Sequence, residues 1–222
     1  MERIFAIGDI HGCSKTFEKI LTSQIQLQKE DLLYCIGDYI DRGEDSKGVI
    51  DLILKLRSEG YHIYTLRGNH EQMMIEARDD KKALKLWLDN GGKNTLKSFG
   101  IKSLEELPEM YFTFLNETEY YLTKYHYIFA HAGLNFENEN IFEDKQAMLW
   151  ERGFYPQQPA LEDKFLIHGH TPIPLTFIIK QTGNCINIDG GCVYTKRPHF
   201  GNLVAIDLKT RQFIVERNCE SK

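Results

Sequence analysis

Residues 37–43 read Gly-Asp-Tyr-Ile-Asp-Arg-Gly, and this stretch decides how the rest of the chain is interpreted. It follows the apolar run at 32–36, which is typical of a buried strand that ends at a glycine. Two carboxylates, Asp38 and Asp41, and the guanidinium of Arg42 therefore belong to one loop at a strand end. Because α/β folds place their sites in such loops, we predict a functional site here.

Two further loops repeat this arrangement. Gly8–Gly12 (Gly-Asp-Ile-His-Gly) follows an apolar run at 4–7, and Arg67–Glu71 (Arg-Gly-Asn-His-Glu) follows one at 61–66. A helix is predicted in each interval, the second with a 3.6-residue apolar stripe at Val49, Leu52, Ile53 and Leu56. Strand–helix–strand units of this kind build parallel sheets, so all three loops should share one sheet edge.

The chemistry of the three loops indicates a metal site, although each loop alone is ambiguous. Asp9 and His11 are two residues apart and leave an extended backbone on the same side. Carboxylate, imidazole and the amide of Asn69 together suit an ion that takes oxygen and nitrogen ligands. Taken alone, the first loop is equally compatible with an Asx-turn beside a surface histidine.

The composition is that of an ordinary globular protein. Of the 222 residues, 42% are hydrophobic and 27% are charged, with a formal net charge of −5. That length allows a substantial core within a single α/β domain. The acidic balance argues against a general nucleic-acid-binding surface and leaves room only for a local basic pocket. We therefore expect no nucleic-acid partner.

The sequence shows no membrane or secretion signal. No run approaches the roughly 18 apolar residues that a membrane span requires. The first strand begins almost at Met1, which leaves no room for a signal peptide. The five cysteines include no Cys-x-x-Cys pair, a usage typical of buried thiols in a reducing compartment. We expect a cytoplasmic protein with no membrane partner.

Taken together, the three loops resemble the three-part signature of the phosphoprotein phosphatases, a branch of the calcineurin-like metallophosphoesterases. Two later segments match the family's remaining ligand motifs: His131-Ala132-Gly133 after the apolar run at 125–130, and Gly169-His170-Thr171-Pro172 after the run at 165–167. The resemblance covers residues 1 to about 210 and is weakest at 79–123.

The resemblance implies an α/β fold, a four-layer α/β/β/α metallophosphoesterase sandwich of two mixed sheets with a helical insert. We expect one domain over 1–222, with a cap-like insert at about 79–123 that carries no catalytic cluster. Short apolar runs at 177–179, 186–188, 203–206 and 213–215 are separated by polar turns. These runs predict consecutive strands that pair antiparallel in the second sheet.

The resemblance also implies two overlapping ligand groups. Asp9, His11 and Asp38 would hold one divalent ion; Asp38, Asn69, His131 and His170 would hold the other, with Asp38 bridging. Mixed carboxylate, imidazole and amide ligation without thiolate favours manganese, iron or zinc over magnesium or calcium. Manganese is our first choice. Such a pair of ions activates a water that attacks the phosphoryl group, so no protein nucleophile is needed.

Four further residues match the family's catalytic positions. His70 would be the general acid that protonates the leaving group, and Asp41 would orient its imidazole and keep it charged. Arg42 and Arg152 would bind the substrate phosphate through their forked donors. Arg152 also fits a surface ion pair. His168, two residues before His170, receives no role from the resemblance.

The implied activity is that of a bacterial-type serine/threonine-protein phosphatase, a metal-dependent hydrolase acting on phosphoproteins or phosphopeptides. The alternative is a diadenosine tetraphosphate (dinucleoside polyphosphate) hydrolase, since the same metal core accepts either leaving group. A third hypothesis, a non-catalytic binding module on the same scaffold, predicts the loss of a ligand or of the acid. All six ligand positions, His70 and Asp41 are filled, which argues against that hypothesis.

Overall fold

A computed structural model describes residues 2–153 and 157–220. The helices are α1 (Ser14–Lys19), α2 (Ser46–Ser58), α3 (Asn69–Glu76), α4 (Lys81–Trp87), α5 (Lys93–Phe99), α6 (Glu109–Asn116), α7 (Lys145–Trp150) and α8 (Leu175–Ile178). The strands are β1 (Ile4–Ile7), β2 (Leu32–Cys35), β3 (His62–Thr65), β4 (Tyr121–Lys124), β5 (Tyr127–Ala130), β6 (Phe165–His168), β7 (Cys185–Asn187), β8 (Asn202–Asp207) and β9 (Phe213–Arg217). Short π-helical turns at Ile20–Ile25 and Leu88–Gly92 extend α1 and α4.

The first sheet has the strand order β3-β2-β1-β8-β9. Its strands β1, β2 and β3 are parallel, with Ile4 opposite Leu32 and Leu32 opposite His62. Because parallel neighbours finish at the same edge, the three loops that follow them lie side by side, as the sequence predicts. Strands β8 and β9 continue this sheet as an antiparallel pair beside β1.

The second sheet has the order β4-β5-β6-β7. Strands β5, β6 and β7 are parallel, and β4 pairs antiparallel with β5. The segments after β5 and β6, which begin with His131 and Gly169, therefore also leave their sheet at a common edge.

The two sheets pack face to face, and helices cover both outer faces. Along β1, Ile4 and Ala6 join an apolar cluster between the sheets, while Phe5 and Ile7 face the helices. A third cluster, which includes Ile128 of β5 and Met148 of α7, lies outside the second sheet. Strands buried on both faces explain the continuous apolar runs in the sequence. The four-layer α/β/β/α arrangement of two mixed sheets is thus confirmed.

Two predictions for the C-terminal third are wrong. The run at 177–179 does not form a strand; Pro174 stands just before the short helix α8, and Ile178 turns into the core between the sheets. The later strands also do not form an antiparallel second sheet, since β7 is parallel to β6 and the β8–β9 hairpin joins the first sheet. Local patterns indicate a strand but do not specify its distant partner.

Residues 79–123 contain the helices α4, α5 and α6 and most of β4. Helix α6 begins directly after Pro108, a residue that cannot lie in a helix interior without breaking a hydrogen bond. This helical layer packs on the same face of the first sheet as α2, through Trp87, Phe112 and Leu115. Within 2–153 and 157–220, no helix is both long and apolar enough to cross a membrane.

Candidate metal centre

The loops that follow β1, β2 and β3 meet closely at the sheet edge. A Cβ at Gly68 would stand 2.2 Å from Asp38 Oδ1 and 2.4 Å from the Asp38 nitrogen, so a side chain at that position would separate the two loops. The nitrogens of Ile10 and His11 donate to the carbonyl of Asp38 at 3.1 and 2.8 Å. Backbone hydrogen bonds thus fix the spacing of the first and second loops.

Several site residues hold left-handed backbone conformations that are uncommon outside glycine. The residues with positive φ are His11 (47°), Asp38 (53°), Asp41 (69°), Arg42 (66°) and His170 (66°). Such conformations cost on the order of 1–3 kcal/mol each and persist only where the surroundings enforce them. Five other non-glycine residues of the described chain also have positive φ, but the five site residues lie together in the loops around the predicted site, which supports the functional hypothesis.

The first side-chain cluster contains His11, Asp38 and His70, whose possible ligand atoms lie within 4.8 Å of one another. His11 Nε2 is 3.3 Å from Asp38 Oδ2, and its Nδ1 donates to the carbonyl of Ile40 at 2.9 Å. That bond fixes the neutral tautomer, so the Nε2 lone pair faces the cluster. A guanidinium nitrogen of Arg42 approaches this lone pair to 2.5 Å.

The second cluster contains Asp38, His131 and His170, again within 4.8 Å. His131 Nδ1 donates to the carbonyl of Ile36 at 2.9 Å, which leaves its Nε2 as an acceptor. That Nε2 is 3.1 Å from Asn69 Oδ1 and 3.4 Å from Asp38 Oδ1. His170 Nδ1 lies 2.9 Å from the same amide oxygen. Asp38 belongs to both clusters, as a bridging ligand would.

This donor set fits a divalent cation. His131 Nε2, which is left as an acceptor, faces the oxygens of Asn69 and Asp38, so acceptors face acceptors in a buried site. His170 Nε2 and His70 Nε2 are buried and make no hydrogen bond to the described residues. Converging lone pairs without a donor are unfavourable unless a positive ion lies among them.

Asp9 is placed differently from the other predicted ligands. It is buried beside the clusters, but it joins neither of them within the described part of the chain. Its oxygens accept the His170 N–H at 3.2 and 3.3 Å. Burial, then the charges of Asp189 and Asp38, raise its pKa well above the usual value. Asp189, which follows β7, is thus a buried acidic neighbour of Asp9.

His70 and Asp41 form a buried pair next to the first cluster. His70 Nδ1 contacts Asp41 Oδ2 at 2.6 Å, which leaves Nε2 directed away from the carboxylate. Thr95 Oγ1 donates to Asp41 at 2.6 Å, and Trp87 Nε1 donates to both carboxylate oxygens at 3.0 Å. The insert thus makes a contact with the site that the sequence did not predict, because α4 and α5 supply two donors that hold Asp41.

Glu71 organises the loops without facing the clusters. Its two carboxylate oxygens accept backbone N–H groups from Gly68 at 2.9 Å, Asp38 at 2.8 Å and Tyr39 at 2.9 Å. It stands at the third position of α3 and so also satisfies the helix start at Gly68. The residue lies inside a quoted motif, yet only the fold shows that it ties the second loop to the third.

The charges of the site are strongly perturbed. Burial alone would raise the pKa of Asp38, but His131, His70, His11 and Arg42 outweigh it and hold the pKa below its usual value. Burial lowers the pKa of His70, whereas the charge of Asp38 and the bond to Asp41 act against it, so the net pKa is raised. The Asp38 carboxylate, which both clusters share, thus favours its ionised form, and the imidazole of His70 favours its charged form.

Arg152 and His168 are the remaining residues that the sequence singled out. Arg152 is exposed. The pKa of His170 is lowered to about 3, mainly by burial and by His131, and the charge of Arg152 contributes a smaller part. The Trp150 ring packs edge-on against His170 with 6.0 Å between ring centroids. His168 ends β6, and its buried Nδ1 has no hydrogen-bond partner in the described chain; it belongs to neither cluster.

Comparison with known families decides what this geometry represents. Residues 2–208 match the model of the calcineurin-like phosphoesterases. The chain belongs to that family. The predicted resemblance is thereby confirmed, and metal-dependent phosphoesterases of this family are hydrolases that use divalent metal ions.

Curated relatives of this calcineurin-like phosphoesterase carry two kinds of name. Serine/threonine-protein phosphatase 1 of Salmonella typhimurium is 42% identical over 89 residues, 40% of this chain and 38% of the relative. Serine/threonine-protein phosphatase 2 of that bacterium is 31% identical over 159 residues, 67% of each chain. An asymmetrical bis(5'-nucleosyl)-tetraphosphatase of Oceanobacillus iheyensis is 25% identical over 249 residues, 96% of this chain and 91% of the relative. The matches to two of the curated relatives are partial: the chain spans 38% of serine/threonine-protein phosphatase 1, and 24% of a symmetrical bis(5'-nucleosyl)-tetraphosphatase of Wigglesworthia glossinidia brevipalpis that is 42% identical over 67 residues.

Solved structures share the fold of this phosphoesterase. A candidate diadenosine tetraphosphatase superimposes with a TM-score of 0.66 at 20% identity, covering 99% of this chain and 95% of the other. A serine/threonine phosphatase of Saccharomyces cerevisiae gives 0.63 at 16% identity, covering 99% and 80%. At these identities the likeness bears on the fold alone.

Proposed function

We propose that this phosphoesterase is a serine/threonine-protein phosphatase that removes phosphate from phosphoserine and phosphothreonine side chains. The observation that carries the proposal is the buried His70–Asp41 pair, with its 2.6 Å contact and an unpartnered Nε2 beside the metal clusters. A serine alkoxide is a strongly basic leaving group, so its departure requires a proton. His70 would donate that proton from Nε2 while Asp41 stabilises the charged imidazole.

Six residues would hold two divalent ions in this mechanism: Asp9, His11, Asp38, Asn69, His131 and His170. The ions would supply an activated water and neutralise charge on the phosphoryl oxygens. Manganese is the metal we propose first, because the donors combine imidazole nitrogen with carboxylate and amide oxygen.

Arg42 and Arg152 are proposed to bind the phosphate from the two sides of the site. Arg42 reaches the His11 side, and Arg152 lies near His170. Planar guanidinium groups donate paired hydrogen bonds to phosphate oxygens and offset charge that grows in the transition state. Both act on substrate rather than on the metals.

The cysteines next to the site do not compete as nucleophiles. Cys35 lies in β2, fully buried, and burial raises its pKa to about 12. Cys13 is also buried, with its thiol directed at the carbonyl of His11 at 3.5 Å. A thiol must ionise and reach substrate to attack, so these positions favour attack by water.

A second function, hydrolysis of dinucleoside tetraphosphates, is favoured by a separate observation. The relative named as an asymmetrical bis(5'-nucleosyl)-tetraphosphatase aligns over 96% of this chain, although at only 25% identity. A phosphoanhydride releases a nucleotide, which is a good leaving group and depends less on a general acid. The built His70–Asp41 pair is therefore our reason for placing phosphoserine first.

One manganese-loaded preparation tests both functions. A phosphoserine peptide and diadenosine tetraphosphate are compared by kcat/KM, with released phosphate and nucleotide products measured separately. We expect the higher kcat/KM for the phosphopeptide. Hydrolysis of the tetraphosphate together with an inert phosphopeptide would refute the proposal and establish the second function.

A further inference from the structure

The segment from Gly191 to Gly201 forms a closed loop at the edge of the site; we refer to it as the rim loop. Its ends are joined by a hydrogen bond from the Gly201 nitrogen to the Gly191 carbonyl at 3.0 Å, and the Tyr194 nitrogen donates to the same carbonyl at 2.8 Å. The loop begins two residues after Asp189, the acidic neighbour of Asp9. Compact loops closed in this way hold their side chains in fixed places.

Within the rim loop, the ring of Tyr194 packs against two guanidinium groups. The Arg42 Cζ is 6.0 Å from the centroid of the Tyr194 ring, and the Arg197 Cζ is 4.6 Å from it. Arg42 also touches His11 at the first metal cluster. One aromatic ring therefore connects the proposed phosphate-binding arginine to a second, exposed arginine.

Arg197 carries a charge that the described residues do not neutralise. Arg3 and Arg78 pair with carboxylates at 2.5 and 2.9 Å. Between residues 2–153 and 157–220, no carboxylate lies within 4.0 Å of the guanidinium of Arg42, Arg152 or Arg197. In a chain of net charge −5, these unpaired guanidinium groups make the rim of the site locally positive.

We propose that Arg197, held by Tyr194, is a subsite for a negative charge next to the phosphorylated residue, so that the preferred substrates are phosphopeptides with acidic flanks. This inference rests on the proposed phosphatase function. The two guanidinium carbons lie 6.0 and 4.6 Å from the centroid of the same ring, so a second positive charge stands near the proposed phosphate-binding arginine. A phosphoprotein substrate can match this pair of charges with its phosphate and a carboxylate on a flanking residue.

The test compares two phosphoserine peptides that differ only in Asp or Asn residues flanking the phosphoserine on both sides. The ratio of their kcat/KM values is measured for the wild type, Arg197→Ala, Arg197→Lys and Lys209→Ala. Lys209 lies in the exposed turn between β8 and β9, and its substitution removes the same charge away from the rim loop. Folding of each variant is checked by thermal unfolding.

We expect the wild type to favour the Asp peptide and Arg197→Ala to reduce that preference by roughly 2- to 5-fold, mainly through KM, as for an exposed charge pair. Arg197→Lys should keep most of the preference for the Asp peptide, and Lys209→Ala should keep all of it. Salt at about 1 M should abolish the preference, because the Debye length falls to ~3 Å.

Three results would overturn the subsite. The wild type could show equal kcat/KM values for the two peptides, or the preference could survive in Arg197→Ala. In both cases hydrolysis of the peptides would still support the phosphatase function. In the third case neither peptide is hydrolysed while diadenosine tetraphosphate is, and both proposals then fail together. The neutral Asn peptide thus separates failure of the subsite from failure of the function.

Discussion

Replacing His70 by Asn should separate proton transfer from metal binding. The substitution removes the imidazole that contacts Asp41, while Trp87 and Thr95 still donate to that carboxylate and keep it satisfied. We therefore expect a folded protein with metal content near that of the wild type. With a phosphoserine peptide, the rate should fall toward the upper part of the ~10²–10⁴-fold range of general-acid catalysis.

The size of the loss should depend on the leaving group. An aryl phosphate such as p-nitrophenyl phosphate releases a stabilised phenolate as its leaving group. The variant should therefore lose much less activity on this substrate than on the phosphoserine peptide. A loss of about 10⁴-fold corresponds to about 5.4 kcal/mol of activation free energy, since each decade is ~1.36 kcal/mol. The assay is kcat/KM for both substrates, with metal content from elemental analysis. Equal losses, with chemistry rate-limiting for both, would mean that His70 is not the acid.

Replacing Asp41 by Asn should shift the pH dependence of the activity on phosphoserine. The His70 pKa is raised, so the imidazole is protonated below that pKa and loses its proton as the pH rises through it. Activity on phosphoserine should therefore decline on the alkaline side. A charge-assisted hydrogen bond contributes about 1.5–3 kcal/mol, so its loss should move that decline about 1–2 pH units lower at ~1.36 kcal/mol per unit. An unshifted alkaline limb would refute the role of Asp41.

The proposed metal ligands and the Glu71 carboxylate can be tested directly. Chelation should abolish phosphate release, and manganese should restore it better than calcium, because the donors include imidazole nitrogen; full activity after complete demetallation would contradict the metal centre. Asp38→Asn should lower metal content at both positions and His11→Ala at one, and elemental analysis showing two tightly held ions in the Asp38→Asn variant would refute the bridge. Glu71→Gln should leave backbone donors unsatisfied and cost about 1–3 kcal/mol of unfolding free energy for each orphaned donor, measured by urea denaturation against the exposed control Glu76→Gln.

The parts of the site that sequence alone predicts are those specified by neighbouring residues. Asp38, Asp41 and Arg42 follow their strand directly, and parallel strands necessarily bring such loops to one edge. The family motifs also name His131 and His170, whose strands lie in the other sheet. These residues meet because the C-terminal edges of the parallel strands in both sheets face the same cleft.

The parts that sequence missed depend on contacts between distant segments. Trp87 has the 3.6-residue spacing of a core residue and is fully buried, yet its indole N–H also reaches Asp41, 46 positions earlier. Asp189 has the local signature of a turn, and only the approach of β7 to β1 places it next to Asp9. The β8–β9 hairpin has a clear strand pattern, but its partner β1 lies almost 200 residues away in sequence. Periodicity reports burial and element type, and it carries no information on such pairings.

Asp41 connects the helical insert with His70, the proposed general acid. On one side it contacts His70 at 2.6 Å, and on the other it accepts hydrogen bonds from Trp87 and Thr95 of the helical insert. The insert also reaches the loop backbone: a Cβ at Gly91 would stand 2.8 Å from the Arg42 nitrogen, and Gly91 has a φ of 119°. None of these insert residues belongs to a metal cluster. We therefore expect changes in the insert to alter the acidity of His70, the proposed acid, and the position of Arg42, the proposed phosphate-binding arginine. The proposed metal ligands should stay in place, because separate strand-end loops hold them.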